Sequence, residues 1–365
     1  MIKNIPIRIF ELIIRGDRPS SSDYDLLASE ERINNGVFSG SGVNTLVLSE
    51  FNEIVDQRSQ FLRSVYPKIS QVLDFHNIQI DPPEALLPML WHYWLPLAQS
   101  LASQQEKIGR TLIQGLLGGQ GTGKTTLGIV LNILLQHLGK TFLSISLDDL
   151  YKTYCDRKKL RDRSPNLIWR GPPSTHDVDL GIQVLQKLRD RPLDIRQPIE
   201  IPRFDKSLHH GAGDRTEPEI SDSADIVLFE GWFVGMRPLP ISAFRNFVPP
   251  ILSECDRKFA LECNANLDNY LPLWQYLDRL IVLVPEDYNY SLQWRIEAEH
   301  KLIALGKSGM SDQEITQFVE YFWKALHPEL FMPRMITQDY GGSYADLVVK
   351  ISRSHLPTKI CTQQP

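Results

Sequence analysis

Gly118-Gly119-Gln120-Gly121-Thr122-Gly123-Lys124-Thr125 follows the pattern G-x-x-x-x-G-K-[ST] and stands between an apolar run, residues 111–117, and a helix-like run, residues 124–138. Glycines at these places let the backbone curl until several N–H groups face one point, and a helix that starts at Lys124 adds its positive end. A polyphosphate fills such a nest. Within the expected phosphate-binding set (Gly118, Gly119, Gln120, Gly121, Thr122, Gly123, Lys124, Thr125 and Thr126), Lys124 reaches the terminal phosphates. The Thr125 hydroxyl is suited to a magnesium ligand position, and Thr126 to an inner phosphate.

Outward from this loop, short apolar strands alternate with helices: residues 111–117, 141–146, 226–229 and 280–284, with a late candidate at 347–351. Leu127, Val130, Leu131, Leu134 and Leu138 make one helix face, and Gly139 supplies a stop. The alternation predicts an α/β protein, a three-layer α/β/α sandwich on a parallel central sheet, with ligands beyond the carboxyl ends of the strands. Before it, residues 1–108 show helical spacing (Leu62, Val65, Tyr66, Ile69, Val72, Leu73) and predict an N-terminal helical subdomain, with Pro67 kinking or dividing a helix. Residues 18–24 and 34–42 read as turns, and Trp91, Tyr93 and Trp94 as core. Residues 109–355 form the expected main domain, with a mobile lid near 288–326, and residues 356–365 a tail. Ser311 and Glu314 have capping-box spacing at the start of a lid helix.

The 365 residues are 42% hydrophobic with net charge −5 and pI near 6.0, an ordinary globular composition. No basic run suggests a nucleic-acid surface, and no stretch is apolar enough to span a bilayer. The 4 cysteines have neither C-x-x-C nor histidine at zinc spacing, so they read as reduced thiols. With no secretion signal evident, the expected location is the cytosol or an organelle stroma.

Five further segments carry chemistry. Ser146-Leu147-Asp148-Asp149-Leu150-Tyr151 puts two carboxylates at a strand end beside the loop, and Asp148 is the candidate base that takes a hydroxyl proton. Glu230, closing the strand Ala224-Asp225-Ile226-Val227-Leu228-Phe229-Glu230, is the candidate second magnesium ligand with Thr125. Between them lie Arg170-Gly171-Pro172-Pro173-Ser174-Thr175-His176-Asp177 and the polar stretch 201–215, where Arg203, Lys206, His209 and Arg215 offer cations to an anionic substrate. With Tyr151 and His176 these make the candidate substrate-binding set. His209 and His210 lack metal-site partners. Arg295, on a helix-like run at 290–303, is the candidate that a closing lid brings onto the transferring phosphate.

The motifs GGQGTGKTT, SLDDLY and FEGW resemble those of P-loop kinases of the phosphoribulokinase and uridine kinase group. GPPSTHDVDLG, IPRFDKSLHHGAGDR, DIVLFEGWFVGMRPL and WRIEAEHKLIALGKSGMSDQEI are more specifically similar to the plant-type D-glycerate 3-kinases, over about residues 115–352. The resemblance implies a P-loop NTPase fold, ATP and Mg2+, and phosphorylation of D-glycerate to 3-phosphoglycerate in photorespiration by a monomer. In that group the catalytic aspartate falls on Asp148. Two alternatives stand beside it: a kinase of a nucleoside, a pantothenate-like acid or a sugar phosphate, and a nucleotide-binding regulatory module.

Overall fold

A computed structural model describes residues 5–38, 48–190, 198–246, 248–306, 309–337 and 344–362. Its strands are β1 (Leu112–Gly118), β2 (Phe142–Ser146), β3 (Ile199–Ile201), β4 (Phe204–Asp205), β5 (Asp214–Arg215), β6 (Glu219–Ser221), β7 (Ile226–Gly231), β8 (Arg279–Pro285), β9 (Leu347–Ile351) and β10 (Pro357–Thr362). Six of them form one sheet in the order β10-β9-β8-β1-β7-β2. The pairs β2–β7, β7–β1, β1–β8 and β8–β9 are parallel. All five strands anticipated from the apolar runs are present. The stretch read as a C-terminal tail instead supplies β10, antiparallel to β9; its alternation is too weak to show in sequence, because Thr358 and Lys359 are exposed.

β1 is buried along its whole length because the sheet is covered on both faces. Leu112 and Leu116 point into a core shared with the helix Lys124–His137 and with helices from the N-terminal hundred residues. Ile113 and Leu117 point the other way, into a core with the helices Val178–Asp190 and Glu254–Asn266. Period-two alternation along one strand thus fixes which helices lie on which face.

The N-terminal region is helical at Ile7–Arg15, Ser21–Phe38, Leu48–Phe75 and Leu95–Ile108. Pro67 does not divide the helix Leu48–Phe75, which runs through it; one missing N–H is offset by the burial of Leu62, Val65, Ile69 and Leu73 on the core side. The turn expected at residues 18–24 gives way at Ser21 to helix, and residues 34–38 are helical as well; residues 39–42 lie outside the described residues. Trp91, Tyr93 and Trp94 are buried. No described helix is long and apolar enough to cross a membrane.

Helices Tyr290–Ala304 and Asp312–Ala325 occupy the segment read as a lid, the second opened by the Ser311–Glu314 capping box. Between β3 and β6 the chain makes a two-stranded arm, with β3 antiparallel to β6 and β4 to β5, whose tip carries residues 206–213.

Candidate active site

The loop after β1 has the backbone its glycines suggested. Gly121 and Gly123 sit at φ +77° and +86°, conformations that side-chain-bearing residues rarely adopt. Thr122 Oγ1 donates to the Gly119 carbonyl at 2.9 Å, closing the turn. Lys124 Nζ donates to the carbonyls of Gly118 and Gly119 at 2.8 and 3.0 Å, so the ammonium is already folded back over the nest. Burial pushes the Lys124 pKa down, and the charges of Glu230 and Asp148 oppose that shift. These three side chains therefore act on one another across the carboxyl ends of β1, β7 and β2.

Two residues from distant sequence brace this loop, and the sequence reading missed both. Trp294 packs so closely on Gly121 that a Cβ there would lie 2.7 Å from its ring. The His355 ring stacks on Trp294 with centroids 4.4 Å apart, and its Nδ1 donates to the Gly121 carbonyl at 2.8 Å. Trp294 Nε1 in turn donates to the Arg353 carbonyl at 2.7 Å. Only the glycine at 121, which says that something must come close, hinted at this contact.

After β2 the chain turns into a single 3-10 turn, Leu147–Leu150. The Ser146 hydroxyl accepts from the Asp148 N–H, and the Asp149 carboxylate accepts from the Ser146 N–H at 2.9 Å. Asp149 is thereby committed to the cap and to an ion pair with Arg203 at 2.9 Å. Asp148 faces the site: Lys206 Nζ lies 2.6 Å from its carboxylate, and the Tyr151 hydroxyl donates to it. Burial pushes the Asp148 pKa up, but Lys206 and Tyr151 outweigh it and hold the carboxyl below its ordinary value.

Behind Tyr151 stands His176, its ring stacked on the tyrosine with centroids 4.5 Å apart. It is 2% exposed, so it forms the inner wall rather than a substrate contact. Its Nδ1 pairs with the Tyr270 hydroxyl at 2.8 Å, while Nε2 has no hydrogen-bond partner among the described residues. Burial drives its pKa down to about 3, so the imidazole stays neutral.

The cations of the candidate substrate set divide into two kinds. Arg203 bridges Asp149 and Glu219, Arg215 pairs with Asp177 at 2.9 Å and donates to the Tyr151 carbonyl, and His209 pairs with Asp214 and stacks on Tyr154. These groups have acidic partners and their geometry fixed, which suits them to building the arm. Lys206 is different, because among the described residues the acidic group it pairs with is the candidate base itself. Sequence reading also did not select Arg170. Its guanidinium lies 5.9 Å from the Tyr151 ring centroid and donates to the Gly211 carbonyl at 2.6 Å, with no carboxylate partner among the described residues.

Arg295 lies on the helix Tyr290–Ala304, one residue from Trp294, and pairs with Glu299 at 2.9 Å beside the Phe318 ring. In this arrangement its contacts run within the lid segment. Among the described residues neither the Glu230 carboxylate nor the Thr125 hydroxyl has a hydrogen-bond or ion-pair partner, so both oxygens are free to ligate. No cluster of three His, Cys, Asp or Glu side chains that could cage a metal occurs among the described residues. Two free oxygens next to a phosphate nest fit magnesium, which takes few protein ligands and completes its shell with phosphates and water.

No protein-family profile matches the chain. Among curated proteins, the chloroplastic D-glycerate 3-kinase of Arabidopsis thaliana is 30% identical over 301 residues, covering 78% of this chain. The match spans 63% of that protein's own length, less than two-thirds of it. The uncharacterized kinase mug58 of Schizosaccharomyces pombe is 33% identical over 61% of this chain and 82% of its own length. Among solved structures, a D-glycerate 3-kinase from Cryptococcus neoformans var. grubii superposes with a TM-score of 0.63 at 29% identity, covering 73% of this chain and 97% of that one. From its phosphate loop, its sheet order and this likeness, the chain belongs to the P-loop kinase family that includes the D-glycerate 3-kinases.

Proposed function

We propose that the protein transfers the terminal phosphoryl group of ATP to the 3-hydroxyl of D-glycerate. The observation that carries this reading is Asp148: a carboxylate at the end of β2, free of the cap that occupies Asp149, with Lys206 at 2.6 Å and the Lys124 nest on the same edge of the sheet. A regulatory module would have no need of such a base beside its phosphate loop.

In this reading Gly118–Gly123 and the helix N-terminus hold the phosphates while Lys124 turns from the Gly118 and Gly119 carbonyls to the phosphate oxygens. Thr125 and Glu230 would hold a magnesium ion, which supplies charge neutralisation on the phosphates when bound. Lys206 and Arg170 anchor the glycerate carboxylate, and charge-assisted contacts of this kind are roughly twice as strong as neutral ones. Arg203, His209 and Arg215 keep the arm in shape, so that its tip presents Lys206.

Asp148 orients the acceptor hydroxyl and takes its proton as the oxygen bonds to phosphorus and the bond from phosphorus to the ADP oxygen breaks. A carboxylate with a depressed pKa is a weak base, and it suffices because the transition state is loose and the proton leaves late. Tyr151 fixes the carboxylate orientation, and neutral His176 backs the tyrosine without adding charge. Arg295 joins the site if the lid segment moves it away from Glu299. The enzyme acts on small molecules, as a monomer.

The test is acceptor-dependent ADP release with Mg-ATP and a panel of D-glycerate, L-glycerate, uridine, pantothenate and ribulose 5-phosphate. Turnover with D-glycerate alone supports the reading. Turnover with another acceptor transfers the same machinery to that substrate, and ATP binding without turnover favours the module.

A further inference from the structure

We propose that the N-terminal helical region is part of the nucleotide site, where it walls the pocket for the base and ribose. The proposal rests on the ATP reading above and adds where the nucleoside lies and which segment selects it.

A cavity of about 330 Å³ opens beside the phosphate loop and is lined at one end by Gly121–Leu127. That is the inner-phosphate end, where Thr126 sits, and a nucleoside is attached to the innermost phosphate. The base must therefore leave the nest on this side. Asp148, Glu230 and Lys206, which mark the acceptor side, do not line the cavity.

The remaining walls come from two places. Leu283, Ile351 and Pro357 belong to β8, β9 and β10, and Ile78, Ile80, Met89, Tyr93 and Trp94 to the N-terminal region. Apolar walls with a few polar groups are what a flat heterocycle needs, and the volume lies at the lower end of the roughly 300–1,000 Å³ typical of small-molecule sites. The Tyr93 hydroxyl is buried with no hydrogen-bond partner among the described residues, an uncompensated polar group in the cavity wall. His355, also lining the cavity, is tied to the loop by its bond to the Gly121 carbonyl. The segment 78–80 consequently touches the same space as the phosphate nest, although it lies some forty residues earlier in the chain.

A second cavity, about 650 Å³, meets the loop only at Gly119 and Gln120 and continues to Trp232, Phe322 and Met332. It lies off the other end of the loop, on the side of the lid segment. It is the rival location for the base.

The experiment is calorimetric titration of the full chain with Mg-ATP and with magnesium tripolyphosphate, which carries the phosphates without a nucleoside. Wild type and Ile80→Trp, Ile80→Ala and Met332→Trp are compared, with thermal melting to confirm folding. Ile80 is half-buried, so Ile80→Trp fills the cavity without demanding a repacked core. The expected result is that Ile80→Trp weakens ATP by about tenfold or more and Ile80→Ala by about threefold, while tripolyphosphate binding and the response of Met332→Trp stay at wild-type values. Wild-type preference for ATP over tripolyphosphate that survives both Ile80 variants overturns the proposal and leaves the kinase reading intact. Weakening by Met332→Trp alone moves the base to the larger cavity and also overturns it. Wild type that binds neither ligand overturns the ATP reading itself, and this proposal with it.

Discussion

Replacing His176 by phenylalanine should make the fold less sensitive to acid. His176 is buried, neutral and held by Tyr151 and Tyr270, with its pKa pushed by burial from 6.5 down to about 3. The sign follows from which state binds the proton. As pH falls below 6.5 the unfolded chain takes up a proton at this residue and the folded one does not, so stability is lost progressively until about pH 3. Between pH 7 and pH 5 that amounts to about 2 kcal/mol from this one side chain. His176→Phe also removes the bond to the Tyr270 hydroxyl, a cost that is the same at both pH values and cancels in the comparison. His92, pushed down to about 4, contributes its own acid sensitivity to both proteins and cancels likewise. Urea denaturation of wild type and variant at pH 7 and pH 5 reads the difference directly. A variant that loses as much stability as wild type over this interval would show that the imidazole is not held neutral, and the inner wall behind Tyr151 would need another description.

Asp148→Asn should lower kcat by roughly two or more decades while ATP affinity stays near wild type, measured by coupled assay and calorimetry; near-wild-type turnover would remove Asp148 from the base role. Lys206→Met takes away the ammonium that holds the Asp148 carboxyl down, so the acid limb of the kcat profile should move to higher pH, and KM for glycerate should rise more than KM for ATP. An unmoved limb would contradict the 2.6 Å pair. Arg170→Ala should raise KM for glycerate by about tenfold or more with KM for ATP unchanged, because no carboxylate among the described residues claims this guanidinium; equal effects on both substrates would count against an anchor. Gly121→Ala should lower the melting temperature and weaken ATP together, since the residue sits at φ +77° with its Cβ 2.7 Å from Trp294; a neutral variant would mean that the Trp294–His355 brace yields freely.

What could be read in the sequence was whatever the local chain dictates. Gly121 and Gly123 announce positive φ, the apolar runs announce buried parallel strands, and Ser311 with Glu314 announces a helix start. Asp148 reads as the base from its place at the strand end and Asp149 as the cap, a choice that the family likeness supports, and the structure gives the physical reason: one carboxylate caps the turn that presents the other. The misses are contacts between distant segments. Nothing near Arg203 or Arg215 shows that Asp149, Glu219 and Asp177 will neutralise them, and nothing near His176 shows that it will be buried behind Tyr151. Arg170 passed as one more polar residue because its lack of a carboxylate partner among the described residues is a property of the fold, and β10 passed as a tail because Thr358 and Lys359 face solvent. The N-terminal helices gave no motif, since what they bring to the cavity beside the phosphate loop is apolar wall.

The most direct test of the central claim is proton-coupled 31P spectroscopy of the product formed from D-glycerate and Mg-ATP. Transfer to the 3-hydroxyl predicts a phosphomonoester signal split by two methylene protons, appearing in step with ADP. A signal split by a single proton would place the phosphate on the 2-hydroxyl, and ADP release without any new phosphomonoester would contradict the account altogether.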